Sequence, residues 1–198
     1  MTRLRVVQRR LIYRGRVIRL VREVLAVQGR RMIRETVQHP GAVVIVPMVD
    51  RSHMVFVRQY RRAVGRELLE LPAGTLSAGE RPARCASREL QEETGWRARR
   101  WRRLGQFYPA PGFTSEQMTV FLAQDLQPVS AHPDPDELIH PVVLSVRSAL
   151  RFIRTGRLRD AKSIIGVLFA LEALTPGARW SGTPYHAPRG ATSRPPVR

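Results

Sequence analysis

The chain has 198 residues, of which 43% are hydrophobic and 25% charged, so it can bury a core of its own and wholesale disorder is excluded. A formal net charge of +18 predicts a surface that attracts anions, from nucleotides and pyrophosphates to nucleic acid. Cys85 is the only cysteine, which excludes an intrachain disulfide and a cysteine-built zinc site and favours a reducing cytoplasm. The sequence has no run of ~18 apolar residues, so no membrane span is predicted.

The N-terminal part of the chain has the alternation of apolar and polar residues that is typical of strands. Three strands are predicted between Leu4 and Val37, with interruptions at Gly15 and at Gln28-Gly29. The next run, from Ala42 to Met48, is more continuously apolar, and residues 54–57 are predicted to pair with it as a hairpin in the core.

A helix is predicted in the middle of the chain, where the period of the apolar residues changes. Pro82 can occupy a first helical turn, apolar residues recur at helical spacing from Ala83 to Leu90, and Gly95 ends the run. Cys85 lies on this helix and is predicted to be a buried small apolar residue rather than a nucleophile.

Three strands and two helices are predicted downstream, followed by an irregular tail. The strands lie around residues 104–108, 118–123 and 138–144. Ser145 is predicted to cap a helix that ends at Gly156, and a second helix is predicted to begin near Asp160. Proline, glycine, serine and arginine predominate after Leu174, which predicts a disordered tail.

Three glutamates crowd the predicted central helix. Glu92 and Glu93 lie three and four residues beyond Glu89, which places these side chains on one face, about 5–6 Å apart. A divalent cation would remove their repulsion, and clustered carboxylates suit Mg²⁺, with Mn²⁺ as an alternative. Arg88, directly before them, can form a forked pair with Glu80 and is expected to have a structural role.

The segment that begins at Gly74 resembles the Nudix box. Five residues separate Gly74 from Glu80, seven more precede Arg88-Glu89-Leu90-Gln91-Glu92-Glu93-Thr94-Gly95-Trp96, and every specified position of the box is present. The resemblance implies an α/β/α sandwich around a mixed sheet, in which a loop, a helix and a second loop present the metal ligands. We therefore expect three regions, namely a β region over residues 1–40, a catalytic domain over 41–174 and a basic tail over 175–198.

The same resemblance assigns roles to the residues of the box. It implies Glu89 and Glu93 as the principal metal ligands, Glu92 as a further ligand or a water-activating base, and the carbonyl of Ala73 as an additional ligand. It also implies that Glu80 supports these ligands. The four structural positions of the segment are Gly74, Glu80, Arg88 and Gly95.

Two flanking segments resemble ADP-ribose pyrophosphatases. Residues 58–61, Arg-Gln-Tyr-Arg, followed by residues 67–74 resemble the approach to the box in that group. Downstream, Pro111 falls sixteen residues after Gly95 and is followed by Gly112, while Glu116 matches a loop acid that helps to bind metal or water. Ala110 departs from the pattern, since a serine commonly stands there.

These matches imply a substrate and a mechanism. Arg61 and Arg58 can neutralise the bridging phosphates, while Pro111 and Gly112 belong to the substrate loop. Bound metal would polarise the phosphoryl oxygens and activate water, so that ADP-ribose would yield AMP and ribose 5-phosphate.

Three acids are candidates for the base that activates the water. They are Glu92, Glu116 and Glu137, of which Glu116 is favoured. Glu137 lies among other acids in a loop for which a solvated turn is the alternative interpretation. The five histidines show no ligand spacing, and none is assigned to catalysis.

Two rival functions remain open at this point. Hydrolysis of GDP-mannose or another nucleotide sugar would use the same phosphate chemistry. A nucleic-acid-associated or nucleotide-sensing protein is the alternative from another class, but such a protein has no need for the complete carboxylate set, and neither nucleic acid nor membrane is expected as a partner. The resemblance also implies a homodimer built by the N-terminal strands, which can lend residues to the partner's site.

Overall fold

The computed structural model describes residues 4–129 and 138–175, which form three sheets and three helices. The predicted tail, from residue 176 onward, and Glu137 lie outside the described residues. No helix in the described ranges is long and apolar enough to cross a bilayer.

The described elements follow in chain order. The strands are β1 (Arg5–Arg14), β2 (Arg19–Val27), β3 (Arg30–Gln38), β4 (Ala42–Pro47), β5 (His53–Arg61), β6 (Arg66–Glu70), β7 (Ala73–Thr75), β8 (Trp96–Phe107), β9 (Met118–Pro128) and β10 (Ile139–Ser145). The helices are α1 (Pro82–Thr94), α2 (Val146–Arg154) and α3 (Ala161–Leu174).

The three predicted N-terminal strands are confirmed, and they form a separate antiparallel sheet in the order β1-β2-β3. Gln28 and Gly29 both have positive φ, 47° and 74°, which lets the chain turn tightly between β2 and β3. Every residue of β1 is exposed, including several large apolar side chains. Those of β1 are Val6, Val7, Leu11, Ile12 and Tyr13.

Strand β4 lies at the centre of the molecule and is buried on both faces. It pairs in parallel with β9 and antiparallel with β7, in a four-stranded sheet of order β7-β4-β9-β8. Val43 and Ile45 pack on the α1 side, whereas Val44 and Val46 pack on the side of α2 and α3. The predicted α/β/α sandwich around a mixed sheet is confirmed.

The predicted core hairpin of β4 and β5 is wrong. The two strands share a single bridge, between Met48 and Met54, and then enter different sheets. Strand β5 instead lies between β10 and β6 in an antiparallel sheet. Both edges of β4 are already hydrogen-bonded, to β7 and β9, so no edge is left for β5.

The predicted helix boundaries agree with the structure. Helix α1 has Pro82 in its first turn and ends at Gly95, whose φ of 69° is left-handed. Ser145 caps α2 by accepting a hydrogen bond from the backbone N–H of Ser148, and Asp160 caps α3 by accepting one from the N–H of Ser163.

Strand β8 begins at Trp96, well before the strand predicted around residues 104–108. Among the described strands it pairs only with β9 and therefore forms an edge of the central sheet. Its exposed side chains are mostly arginines, of which Arg100 pairs with Asp125 at 3.0 Å. The five exposed arginines are Arg97, Arg99, Arg100, Arg102 and Arg103.

Candidate active site

A cleft of about 1260 Å³ lies where the central sheet, the β5–β6 hairpin and the N-terminal sheet meet. Helix α1 and strand β7 form one wall, and the turn between β1 and β2 contributes Arg14, Arg16 and Arg19. Both positive and negative side chains line this cleft, which suits an anionic substrate that binds together with a cation.

The carboxylates of α1 lie against strand β7. Glu93 is 7% exposed and accepts a hydrogen bond from the backbone N–H of Ala73 at 3.1 Å. The carboxyl group of Glu89 lies so close to Gly74 that a Cβ atom there would collide with it. Gly74 therefore allows the backbone to approach a carboxylate that a larger residue would displace.

Arg88 lies among the acids of the same helix. It donates to Glu80 from Nε at 3.1 Å and from Nη2 at 3.2 Å, the forked contact expected from the sequence. Its Nη1 is also 2.7 Å from Glu89 and 2.8 Å from Glu92. Arg88 thus ties the loop before the helix to the helix and offsets the repulsion among its carboxylates.

The electrostatics of this cluster shift two pKa values in opposite directions. The hydrogen bonds from Arg88 and then from the backbone N–H of Ser77 lower the pKa of Glu80 to about 2. The same contact with Glu80 raises the pKa of Arg88 well above its ordinary value. Both groups are therefore charged at neutral pH.

The donors along this wall fit a divalent cation. Glu89, Glu92, Glu93 and the nearby Glu116 supply carboxylate oxygens, and Ala73 supplies a backbone carbonyl, which are the hard oxygen ligands that such ions prefer. Within the described ranges no three acids or histidines converge on one point.

Glu116 lines the same cleft from the loop that precedes β9. That loop is fixed to the end of β3, because Val37 donates to the carbonyl of Phe113 and Ser115 donates to the carbonyl of Val37. His39 Nδ1 lies 3.8 Å from a Glu116 oxygen and accepts a hydrogen bond from the N–H of Gly41. His39 was not predicted to be a site residue, although the Pro40-Gly41 turn that follows it indicates a position at a strand end.

A second charged cluster lies around Arg61. Its Nε and Nη2 donate to the two oxygens of Glu70 at 2.8 and 2.7 Å, and Lys162 also donates to Glu70 and, at 3.0 Å, to Asp160. Burial by itself would raise the pKa of Glu70, but the hydrogen bond from Arg61 and the charge of Lys162 lower it overall. The hydrogen bond to Glu70 raises the pKa of Arg61.

Glu70 and Lys162 were given no role in the sequence-based prediction. Two features of the sequence could have pointed to them: Glu70 is an acid within the apolar run Leu68-Leu69-Glu70-Leu71, and Lys162 is the only lysine of the chain. In the structure both residues line the cleft.

Three residues predicted to bind substrate do not line the cleft. Strand alternation turns Arg58 to the opposite face of β5 from Arg61, and Arg58 pairs there with Glu67 at 3.0 Å. Pro111 and Gly112 are exposed in the turn between β8 and β9, from which Pro109 reaches the cleft.

Cys85 is fully buried, as predicted, with its sulfur 3.6 Å from the carbonyl oxygen of Thr75. Burial, followed by the negative charge of Glu89, raises the pKa of this thiol to about 12. It is therefore protonated at neutral pH and is not a nucleophile.

A mixed-sheet α/β/α sandwich, with helix carboxylates facing a cleft lined by arginines, fits a hydrolase that splits phosphoric anhydrides with the help of a divalent cation. Residues 38–164 match the family model described as the NUDIX domain, and the chain belongs to the Nudix family.

Relatives and a solved structure agree with this family. The chain is 35% identical over 161 residues to the ADP-ribose pyrophosphatase of Bacillus subtilis (strain 168), a match that covers 80% of this chain and 87% of that protein. It is 38% identical over 174 residues to the ADP-ribose pyrophosphatase of Mycobacterium tuberculosis, covering 84% and 82%. A crystal structure of an ADP compounds hydrolase matches with a TM-score of 0.77 and 25% identity, covering 86% of this chain and 94% of that one.

Proposed function

We propose that this Nudix hydrolase splits the pyrophosphate bond of ADP-ribose into AMP and ribose 5-phosphate. The observation that carries the proposal is the similarity to two proteins named ADP-ribose pyrophosphatase, which extends over at least 80% of this chain. The cleft supports it, because acids for a metal ion and the guanidinium of Arg61 line the same space.

Several charged groups in the cleft have a task in this proposed reaction. Glu89, Glu93 and the carbonyl of Ala73 would hold the ion, and Arg61 would bind the diphosphate. The ion, when bound, neutralises phosphoryl oxygens and lowers the pKa of water. Glu116, rather than Glu92, would act as the base toward the attacking water, because Glu92 is paired with Arg88 at 2.8 Å. Arg58, Pro111 and Gly112 stay predicted contacts of the substrate.

We propose Mg²⁺ as the ion, with Mn²⁺ as the alternative, because carboxylates and phosphates together complete the octahedral oxygen shell of Mg²⁺. Turnover measured in parallel titrations of the two ions tests this choice. Half-maximal activity at millimolar Mg²⁺ supports the choice of Mg²⁺. Activity with Mn²⁺ but none with Mg²⁺ contradicts it.

The substrate is tested with a panel of ADP-ribose, GDP-mannose, UDP-glucose, diadenosine polyphosphates, NADH and capped RNA. We expect the highest kcat/KM for ADP-ribose, with AMP as a chromatographically identified product. A preference for GDP-mannose would retain the mechanism and replace the substrate. If the protein hydrolyses no member of the panel, the proposal that it is an enzyme is overturned.

We also propose that two copies of the chain associate through the N-terminal sheet in the cytoplasm. The exposed apolar side chains of β1 support this, because such a surface is stabilised when a second copy covers it. In sedimentation velocity we expect a species of twice the chain mass, and we expect Leu11→Asp to convert it to a folded monomer. A wild-type monomer at micromolar concentration would contradict the proposal.

A further inference from the structure

The side chain of Glu70 is 2% exposed, yet it lies in the wall of the catalytic cleft. It accepts hydrogen bonds from two cations, Arg61 on β5 and Lys162 in the first turn of α3. Burial of a carboxylate carries a desolvation cost, and an apolar residue of similar size would fill the same space without it. Its presence therefore calls for a reason beyond packing.

The sheet register shows how far Arg61 reaches to meet Glu70. In the β5–β6 pair Glu70 lies opposite Val57, whereas Arg61 lies opposite Arg66. Val57 and Arg61 are four residues apart, or about 13 Å along the strand. The side chains of Arg61 and Glu70 must therefore extend toward each other along the sheet to make the contact. Glu70 thus selects one direction for a long side chain that has many rotamers.

The contact leaves a defined part of Arg61 available. Glu70 occupies the edge of the guanidinium formed by Nε and Nη2, at 2.8 and 2.7 Å. The other edge, formed by Nη1 and the second hydrogen of Nη2, can donate two parallel hydrogen bonds to a phosphate. Arg61 is 38% exposed and lines the cleft, so this edge has access to substrate.

We infer that Glu70 is a positioning residue, which holds Arg61 so that its second edge meets the diphosphate of the substrate. The inference rests on the proposed function, because it requires a diphosphate substrate. Preorganisation of this kind strengthens binding, since the side-chain entropy of the arginine is already lost before the substrate arrives. Glu70 itself contacts no reacting atom in this scheme.

The first test is Glu70→Gln, which retains side-chain size but removes the charge and turns an amide N–H₂ toward the two cations. We expect KM for ADP-ribose to rise at least about tenfold, from the loss of a charged hydrogen bond, while kcat falls less than about threefold. Asp125→Asn is the matched control, because it also converts an ion-paired acid to its amide, but on β9 beside Arg100. We expect its kinetics to equal those of the wild type.

A double-mutant cycle separates positioning from a merely structural role. If Glu70 acts through Arg61, then Glu70→Gln should change KM less than about twofold when Arg61→Ala is already present. If Glu70→Gln raised KM equally in the wild-type and the Arg61→Ala backgrounds, the inference would be overturned. An active Glu70→Gln single variant with an unchanged KM would overturn it as well.

Glu70→Asp covers the case in which the amide variant does not fold. It keeps the charge with a shorter reach, so we expect an intermediate rise in KM that also disappears when Arg61 is replaced by alanine. A rise that persists there would overturn the inference. A wild-type enzyme that hydrolyses no member of the substrate panel would instead defeat the proposed function.

Discussion

Glu93 is the most buried carboxylate of α1. It is 7% exposed, and its Oε2 accepts a hydrogen bond from the N–H of Ala73, the residue whose carbonyl is a predicted metal ligand. A ligand fixed in this way loses little side-chain entropy when an ion binds.

We expect Glu93→Gln to retain the fold and to lower kcat by about a thousandfold, because it removes a charged oxygen ligand while its amide oxygen still accepts from Ala73. Steady-state kinetics at saturating Mg²⁺, together with thermal unfolding, measure the two effects. Near-normal turnover would contradict the role of Glu93 as a ligand.

Glu80 stabilises the molecule through its charge. Its pKa is about 2 in the folded protein against 4.5 ordinarily, so its contribution to stability is complete above pH 4.5 and is lost as the pH falls toward 2. We expect Glu80→Gln to lower the free energy of unfolding at pH 7 by about 2 kcal/mol. The difference from wild type should shrink steadily below pH 4.5 in urea titrations. A difference that is constant down to pH 3 would show that charge is not the cause.

At the scale of elements, the packing of α1 on β7 depends on the absence of a side chain at Gly74. Its backbone needs no positive φ, so alanine is compatible with the strand, but the new methyl group would collide with the Glu89 carboxyl. A carboxyl at the end of a flexible side chain can move aside without unfolding the protein.

We therefore expect Gly74→Ala to reduce kcat/KM by about a hundredfold or more while the free energy of unfolding changes by less than about 1 kcal/mol. Gly166→Ala provides the contrast. Its methyl group would meet the buried Leu71, away from the carboxylates, and we expect a loss of about 1–3 kcal/mol of stability. If the two variants lost stability equally, Gly74 would be a packing position only.

The elements that the sequence predicted well are those with local signals. Ser145 and Asp160 begin helices and Gly95 ends one, all through contacts within a few residues, so their positions were predictable. The pairing of β4 was not predictable, because its partners β7 and β9 are selected by the tertiary fold. The start of β8 was missed because arginines mask the alternation of its few buried residues.

In the candidate site, too, the contacts within one helix were predictable from the sequence and the contacts between elements were not. The carboxylates of α1 and Arg88 follow from spacing along one helix. The ion pair of Arg61 with Glu70 depends on sheet register, and the contact of Lys162 with Glu70 joins residues 92 positions apart. Spacing along the chain contains no information about such contacts.

For the whole molecule, Arg88 determines how the fold responds to metal removal. Its guanidinium pairs with Glu80, Glu89 and Glu92, so one positive charge already offsets part of the repulsion among these carboxylates without an added cation. We expect excess EDTA to abolish hydrolysis and to shift the unfolding temperature by less than about 3 °C, with full recovery of activity on adding Mg²⁺. Unfolding by EDTA at 25 °C would contradict this expectation.

The edge of the central sheet has a consequence for how copies of the chain meet. Two β8 strands aligned edge to edge would place ten arginines side by side, since each copy presents five. Their mutual repulsion disfavours extension of the central sheet at this edge. We therefore expect the arginine edge to be sensitive to polyanions, which would cancel its charge, whereas the proposed association of two copies uses the N-terminal sheet.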